Sequence, residues 1–543
     1  MLISRNWLRD FVDLPADLDP RHLAERLTIT TAEVDSVEHV CTIPPEVRLP
    51  DGVRPDAAEQ DDWIIEIDNK SITHRPDLWG HVGIAREVAA ILRLPLRPPP
   101  VAPMEQLVVD SLPAIPITID DPAKCPRYSG LRMQALGNRP APWRMQLRLA
   151  RVGMRPISFL VDLTNYVMAE LGQPMHAFDA ATIDCIEVGL AAEGARFRTL
   201  DGVERAMPPG TLMIQCRRRN VAIAGIMGGH ETEVSPTTRE ILLESANFDA
   251  ATIRRAAAAM GHRTEASARF EKSLDPNLTV HAIARFVHLA RTELPDLSLT
   301  RRLSDAWPRP LSVPTIELDA AHVSRIIGQD VSRERIRDIL TPLEFQVRDA
   351  GSRLLVTPPT FRATKDISIP EDLIEEIARF VGYDHIPPAL PHVEARPLDE
   401  STERIVERRS LELLCLGGSF IEAHQYAWFD DEWLARLGFD PGACLTLRNP
   451  VAPSQVRLRT TLLPGLLAAC ERNRFRVGSF DLLELGSVFR TTAGAAHGEA
   501  RASDPAALQS RHLALAVVRP GKKADDAVWA ELKASIETWA DQV

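Results

Sequence analysis

Apolar residues along this chain recur at helical spacing in some segments and form short runs in others. The first 40 residues predict a short amphipathic helix, a polar turn and a second helix around Pro20–Leu27. A Pro- and Asp-rich connector follows at residues 41–60. The run WIIEIDN then predicts a strand, and Pro76 lies in a turn that leads into a helix with an apolar face.

Two proline-rich linkers divide the rest of the chain. The first is LPLRPPPVAP at residues 94–103, and the second lies around Trp307–Pro314. Between them, residues 115–300 alternate strands with helices and contain many Gly or Pro turns, a mixed α+β pattern. After the second linker, residues 315–388 predict a compact unit of helices and a strand.

The last segment begins with a charged helix at 401–416, contains the strand-like run DLLELGSVFR and ends on the helix AVWAELKASIETWADQV. A chain of 543 residues is too long for one core. At roughly 150 residues per domain, it predicts three or four domains. The expected fold class is therefore a multidomain α+β protein.

Composition narrows the class of protein. The chain is 45% apolar and 25% charged, as in ordinary soluble proteins. No run of about 18 apolar residues and no secretory signal are found, so neither a membrane span nor export is expected. The seven cysteines are scattered without a CxxC pair. We therefore expect no disulfide framework and no cysteine zinc site, which fits a reducing cytoplasm.

The net charge of −12 argues against nonspecific binding of polyanions over the whole surface. Local basic runs such as Arg217–Arg219 still leave room for a nucleic acid on one face. Common catalytic signatures are missing, because GxxxxGK, GxGxxG after a strand, HExxH and GxSxG do not occur. The fragments GHVGIARE and FEKSLDP match class I tRNA synthetase signatures only incompletely.

An acidic set lies in FRATKDISIPEDLIEEIARF. Pro370 suits the first turn of a helix whose apolar face includes Leu373 and Ile377. The acids after the proline would share the opposite face or the first turn, with one further acid at the end of the preceding strand. Converging carboxylates suit Mg²⁺, and the alternative is a helix start enriched in acids that complement the helix dipole. The set is Asp366, Asp372, Glu375 and Glu376.

Several polar or small residues in the middle segment are candidates for a pocket. His176 and Asp179 in LGQPMHAFD could meet Thr164 and Asn165 from VDLTNYVM, although a turn histidine bonded to backbone is an alternative. The small residues of AIAGIMGGH allow close backbone approach to a ligand, or simply form a tight turn. Glu244 stands inside the apolar run ILLESANFD, where a carboxylate needs a partner.

Many blocks together, in this order, closely resemble the bacterial phenylalanine–tRNA ligase beta-subunit family. They extend over nearly the whole chain and include SRNWLRDFVDL, IDNKSITHRPDLWGHVGIAREVAAIL, RPISFLVDLTNYVMAELGQPMHAFD, AIAGIMGGHETEV, RTEASARFEKSLDP, TPPTFRATKDISIPEDLIEEIARFVGYDHIP and NPVAPSQVRLRTTLLPGLL. The resemblance implies four domains. They are a split N-terminal α/β domain (1–103), a tRNA-editing domain (112–302), a small winged-helix-like, Mg²⁺-associated domain (312–390), and a non-catalytic class II synthetase-like module with an antiparallel sheet (396–543).

The resemblance also implies roles for residues. The editing domain would hydrolyse tyrosine misattached to phenylalanine tRNA, since an apolar pocket rejects an added hydroxyl poorly. Glu244 would accept a hydrogen bond from the tyrosine hydroxyl, and Thr164 and His176 would lie nearer the ester and the terminal adenosine. The acidic set falls on the family's Mg²⁺-associated positions. The family's pocket residues fall here on Thr164, His176, Ala224, Gly225, Glu244 and Ala266.

Some features depart from the family pattern. Between residues 40 and 61 the family usually inserts an oligonucleotide-binding fold of about 110 residues, an ordinary domain size, where this chain has only a connector. The sequence also ends before the completion of the class II-like module and lacks the anticodon-binding domain. Glu265 replaces the usual aspartate beside the pocket. Contact with tRNA outside the editing site is therefore expected to be reduced.

Three hypotheses follow. The first is a beta subunit, or a paralogue of one, that charges tRNA in a cytoplasmic heterotetramer with an alpha subunit, which would use ATP and Mg²⁺. The second is a stand-alone hydrolase of misacylated tRNA, and the third is a non-enzymatic scaffold or tRNA-handling protein. No glycine-rich GxGxGxER run is present, so this chain alone is not expected to activate an amino acid.

Overall fold

The computed structural model describes residues 1–134, 139–391, 393–397, 399–491, 508–521 and 526–543, apart from the side chain of Ala57. The chain forms two compact units, Met1–Leu390 and Pro391–Val543. Helices and small sheets occur in both units, so the expected mixed α+β class is confirmed.

The N-terminal part of the first unit is a three-stranded antiparallel sheet, in the order β1-β3-β2, packed against helices. Its elements are β1 (Leu2–Ser4), α1 (Arg5–Leu8), α2 (Pro20–Thr30), β2 (Val34–Val40), α3 (Ala57–Gln60), β3 (Asp62–Ile67) and α4 (His81–Leu92). The predicted helix at Pro20 is confirmed, and the Asp19 side chain caps it by accepting from the Arg21 amide. The predicted strand is confirmed as β3.

The middle part is built on two sheets. They have the orders β12-β11-β10-β7-β4 and β14-β5-β13-β6, and β8 pairs with β9 in a separate hairpin. The elements are β4 (Ile117–Ile119), β5 (Arg127–Gln134), α5 (Trp143–Arg151), α6 (Phe159–Leu171), β6 (Met175–Asp179), β7 (Ile186–Leu190), β8 (Arg196–Arg198), β9 (Glu204–Ala206), β10 (Leu212–Cys216), β11 (Arg219–Ile223), β12 (Met227–Gly228), β13 (Glu240–Asn247), α7 (Ala250–Ala259), α8 (Glu265–Phe270), α9 (Leu278–Glu293) and β14 (Leu299–Ala306).

Strand β13 is buried on both faces and separates two cores. Ile241 and Leu243 belong to a core that includes residues of α6, α9 and the N-terminal part. Leu242 and Ala246 belong to the core that joins the two sheets. This alternation follows from the two-residue period of a strand. It decides which core each polar residue of β13 and its neighbours will face.

The remainder of the first unit is a three-stranded antiparallel sheet, in the order β15-β17-β16, with three helices. Asp319 and Ser332 cap two of the helices through their side chains. The elements are β15 (Ile316–Leu318), α10 (Ala320–Ile327), α11 (Arg333–Leu340), β16 (Gln346–Ala350), β17 (Arg353–Thr357) and α12 (Pro370–Val381).

The second unit has a three-stranded sheet in the order β18-β19-β20. Its elements are α13 (Thr402–Leu411), β18 (Phe420–Glu422), α14 (Asp431–Leu437), α15 (Leu463–Asn473), β19 (Phe480–Phe489), β20 (Gln509–Val518) and α16 (Asp526–Gln542). The expectation of an antiparallel sheet is wrong for one pair, because β18 and β19 are parallel. The chain returns between them through α14 and α15, the crossover that parallel strands require.

Candidate functional site

Two of the predicted pocket residues meet on neighbouring strands. β6 and β13 are antiparallel, and their register places His176 directly opposite Glu244. On the other side of β13, Gly130 of β5 is the partner of Glu244. Directly opposed residues point to the same face of a sheet. His176 and Glu244 therefore share the face that carries Leu242 and Ala246, toward the core between the two sheets.

Glu244 is almost fully buried, with 7% of its surface exposed. The hydroxyl of Tyr128 donates a hydrogen bond to its Oε2 at 2.6 Å. Burial raises the pKa of Glu244 to about 7, against the opposing effect of the Tyr128 hydrogen bond. The expectation that this carboxylate has a partner is confirmed. Near neutral pH the group can lose or keep its proton, and so can accept or donate a hydrogen bond.

His176 lies in β6 and not in a turn, so the alternative of a turn histidine is wrong. Burial lowers the pKa of its imidazole to about 4, which makes the ring neutral at pH 7. Among the described residues, its Nε2 atom is buried without a hydrogen-bond partner. Gly228 packs directly against the ring, since a Cβ there would lie 2.5 Å from Cε1 of His176.

Ala224 and Gly225 lie in the turn between β11 and β12. Gly225 has a φ of +65°, and a Cβ at this position would lie 2.9 Å from the ring of Phe270. Here glycine is needed both for the left-handed backbone and for close aromatic packing. Ala224 is buried in the core between the sheets, and Ala266 of α8 packs against the same core. The small residues therefore line the same core that His176 and Glu244 face.

Thr164 and Asn165 lie on α6, which packs against β6. The Thr164 hydroxyl is buried and donates to the carbonyl of Val161 in its own helix. Within the described ranges, no hydrogen bond joins Thr164 or Asn165 to His176 or Glu244. Asp179 ends β6 and accepts a hydrogen bond from Thr238 at 2.7 Å. The structure thus unites the strand and turn candidates, while the helix candidates lie on α6, whose apolar residues pack in the core on the other face of β13.

The acidic set does not converge. The Asp372 carboxylate accepts from the amides of Ser368 and Ile369 and caps α12, whereas Glu375 is exposed. Glu376 was expected beside them but is buried with the apolar residues of α12. Its position three residues after Leu373 places it on the buried face. Asp366 was expected at a strand end but lies in a turn after β17 has ended at Thr357.

Asp366 and Glu376 instead belong to a buried ion network. Arg362 donates to both carboxylates, and Arg379 donates to Glu376 at 2.7 Å and to Glu87 of α4 at 2.6 Å. Burial alone would raise the pKa of Glu87, but Arg379 and Arg75 hold it at about 2. The same effect from Arg362 and Arg379 keeps the pKa of Glu376 well below its usual value.

These carboxylates are already neutralised by guanidinium groups. A magnesium ion shared by all four acids would need their oxygens to converge in place of those cations. In the part of the chain that the structure describes, the four acids form no such group. The residues present do not fit the ion, and we derive no step through it at this position.

Two partners were missed from the sequence. Tyr128 is separated from Glu244 by more than a hundred residues, and its only signal is a tyrosine in a buried strand, where the hydroxyl needs a partner. The contact between Arg379 and Glu87 was missed because α4 and α12 are almost 300 residues apart. Arg362 and Arg379 lie in the same segment as Glu376, but the acidic set was considered without them. Sequence spacing identifies neighbours on one element, not across elements.

Comparison with known proteins gives matches over most of the chain. Domain models match residues 124–293 (B3/4 domain), 316–383 (tRNA synthetase B5 domain) and 386–543 (phenylalanyl tRNA synthetase beta chain CLM domain). The phenylalanine–tRNA ligase beta subunit of Solibacter usitatus is 41% identical over 439 residues, which are 80% of this chain and 56% of that protein. That of Anaeromyxobacter dehalogenans is 36% identical over 463 residues, 83% of this chain and 57% of that protein.

The chain therefore spans little more than half the length of these relatives. A solved structure of an N-terminal fragment of the Pyrococcus horikoshii phenylalanyl-tRNA synthetase beta subunit can also be aligned with this chain. The alignment covers 70% of this chain and 99% of that fragment. The TM-score is 0.38 at 13% identity, too low to bear on the fold. None of the helices among the described residues is long and apolar enough to cross a membrane.

Proposed function

We infer that this chain, a relative of the phenylalanine–tRNA ligase beta subunits, works with an alpha subunit in the ATP-dependent charging of tRNA with phenylalanine. It also hydrolyses tyrosine that has been attached to this tRNA by mistake. The observation that carries the proposal is the buried Glu244 opposite His176, inside the segment that matches the B3/4 domain. A heterotetramer with two alpha subunits, in the cytoplasm, is part of the proposal.

Discrimination between tyrosine and phenylalanine needs one hydroxyl to be recognised. Glu244 already accepts a phenol hydroxyl, that of Tyr128, on Oε2. A carboxylate oxygen has capacity for a second donor, so a substrate tyrosine would present the same chemical group to Glu244. Phenylalanine would leave that capacity unused, so only tyrosine would gain the additional hydrogen bond.

His176 would orient the substrate and not remove a proton. Its low pKa makes the imidazole neutral and a weak base at pH 7. The Nε2 atom, which lacks a described partner, is available to donate a hydrogen bond to the ester in one tautomer, or to accept one from a ribose hydroxyl in the other. Gly228 holds the ring in place from one side. The role proposed for Ala224, Gly225 and Ala266 is to shape the walls of the pocket, and that proposed for Thr164 and Asn165 is to support β6 from the packed helix α6.

The test is deacylation of tyrosyl-tRNA by the full chain and by Glu244→Ala. Loss of a charge-assisted hydrogen bond of about 1.5–3 kcal/mol corresponds to a rate roughly ten- to a hundredfold lower. Glu240→Ala, at the start of the same strand and paired with Arg132, is the matched control and should keep the parental rate. Equal rates for the parent and Glu244→Ala, or no hydrolysis by either, would favour the scaffold hypothesis.

Activation of phenylalanine is assigned to the alpha subunit, which would consume the ATP with Mg²⁺. The purified chain should therefore show no ATP–pyrophosphate exchange, and should acquire it only with an alpha subunit. Binding of tRNA by the chain alone should be weak, with little dependence on salt, because its net charge is −12. Hydrolysis without any affinity for an alpha subunit would instead support the stand-alone editing hydrolase.

A further inference from the structure

Two cysteines that are 31 residues apart in sequence meet beside an aspartate. Cys216 is the last residue of β10, and Cys185 immediately precedes β7, which pairs with β10. The Sγ atoms of Cys185 and Cys216 are 3.3 Å apart, and Cys216 Sγ lies 3.3 Å from Oδ1 of Asp184. Among the described residues, this is the single group of three such side chains whose ligand atoms converge.

Two thiols and a carboxylate form a ligand set for a thiophilic divalent cation. Zinc in a tetrahedral site, with Zn–S distances near 2.3 Å, separates two sulfur ligands by about 3.8 Å. The observed sulfur separation is within about half an ångström of that distance. Magnesium and calcium prefer oxygen ligands, so the two sulfurs select against them.

The charges around the site also suit a divalent cation. Two thiolates and the Asp184 carboxylate would exceed the charge of one zinc ion by a single negative charge. Arg217 offsets this excess, because its guanidinium donates to Oδ2 of Asp184 and leaves Oδ1 toward Cys216. Asp184 is exposed, Cys185 is half-buried and Cys216 is buried, so the site opens to solvent on one side.

The backbone next to Cys216 is held in an unusual conformation. Arg217 and Arg218 connect β10 to β11, and both have left-handed φ values, of 50° and 64°. Such a two-residue turn normally prefers Asn and Gly. The Arg218 amide donates to Glu187 of β7 at 3.0 Å, which joins this turn to the neighbouring strand. The ligands of the site are therefore presented at the ends of two paired strands.

We propose that Asp184, Cys185 and Cys216 bind one zinc-type divalent cation, with water as the fourth ligand. The site is separate from Glu244 and His176 and does not depend on the function proposed for them. It differs from the expectation of no cysteine zinc site, which rested on the absence of a CxxC pair. Strand pairing supplies the proximity that sequence spacing lacks.

Metal binding is measured on the full chain, kept reduced, with Co²⁺ as the spectroscopic probe and Zn²⁺ as competitor. We expect one equivalent of Co²⁺ to produce thiolate-to-metal charge-transfer absorption, and Zn²⁺ to abolish it. Cys185→Ser and Asp184→Asn should each weaken binding at least roughly tenfold, as is typical when a metal site loses an interaction. Cys41→Ser changes an exposed cysteine that is distant in sequence from the three proposed ligands, and this variant should bind metal as tightly as the parent.

Circular dichroism of each variant separates loss of metal from loss of fold. Cys185→Ser is preferred over Cys216→Ser because Cys185 is the less buried of the two. Absence of Co²⁺ absorption in the reduced parent would overturn the proposal, as would equal binding by the parent and Cys185→Ser. A Cys185–Cys216 disulfide that forms with glutathione disulfide, combined with no metal binding after reduction, would also overturn it.

Discussion

Glu376 and Glu244 are both buried, with 4% and 7% of their surfaces exposed, yet their surroundings differ in charge. Glu376 accepts hydrogen bonds from two arginines, Arg362 and Arg379, in a network that continues to Glu87. Glu244 has one neutral partner, the phenol of Tyr128. The pKa of Glu376 is held well below its usual value, while that of Glu244 is raised to about 7.

The difference separates a structural carboxylate from one suited to binding. In the arginine network Glu376 and Glu87 are already compensated, so a further ligand would have to displace a guanidinium group there. At Glu244 the cost of burial is only partly offset, and an added hydrogen-bond donor would be favourable. Perturbed pKa values of this second kind are the ones associated with functional sites.

The largest expected effect is on stability at the arginine network. Glu376→Gln leaves Arg362 and Arg379 without their shared carboxylate and should destabilise the first unit by about 3–5 kcal/mol. Glu375→Gln is the matched control, because Glu375 adjoins Glu376 in sequence but is exposed, and its stability should stay within about 0.5 kcal/mol of the parent. Urea unfolding followed by tryptophan fluorescence measures both. Similar losses in the two variants would contradict the assignment of the network as structural.

The next effect is a dependence of stability on pH at Glu244. Between its ordinary pKa near 4.5 and the folded value near 7, the folded chain keeps a proton that the unfolded chain has lost. Stability should therefore fall as pH rises through this window, by about 3 kcal/mol in all. Glu244→Gln cannot ionise, so its stability relative to the parent should increase from pH 4.5 to pH 8. A constant difference across that range in urea titrations would be evidence against a raised pKa.

The substitution Tyr128→Phe tests the raised pKa of Glu244 in a second way, and its expected effect on stability is smaller. The Tyr128 hydrogen bond lowers the pKa of Glu244, so its removal should raise that pKa further and extend the unstable window to higher pH. The loss of the hydrogen bond should cost about 1.5–3 kcal/mol at pH 8, where the carboxylate is charged, and less at pH 4.5. Carboxyl NMR titration of Glu244 measures the shift directly. An unchanged titration midpoint would mean that Tyr128 does not control the pKa of Glu244.

The smallest effect concerns magnesium. Because the four acids do not converge, Glu375→Gln should change neither the melting temperature nor its response to added Mg²⁺. The parent and variant are compared by thermal unfolding with Mg²⁺ and with EDTA. A Mg²⁺-dependent stabilisation that Glu375→Gln abolishes would restore a metal role for the exposed edge of α12.

Local patterns predicted local structure well. The helix at Pro20, the strand β3 and the strand β19 all lie where the pattern of apolar residues predicted them. The helix expected at 401–416 is α-helical only to Leu411 and continues as a π-helical turn to Leu416. Such a change depends on how neighbouring elements pack around the helix. The spacing of apolar residues within the helix carries no information about that packing.

The sites were predicted less completely than the elements. Glu244 was recognised because a carboxylate in an apolar run is unfavourable without a partner, but the run could not identify Tyr128 as that partner. The acidic set was misjudged because acids close in sequence were assumed to point the same way. Glu376 points inward to Arg362 and Arg379 of its own segment. The contact of Arg379 with the distant Glu87 is the one that only the tertiary fold supplies.

The pairing of His176 with Glu244 couples the candidate site to the alignment of β6 and β13. A deletion of a single residue of β13 before Glu244 would reverse the orientation of Glu244, which would then face the apolar core on the opposite side. A deletion within residues 234–239 would leave the alternation in β13 intact, although Thr238 of that segment donates to Asp179. The orientation of Glu244 therefore depends on the length of β13 and not on that of the preceding segment.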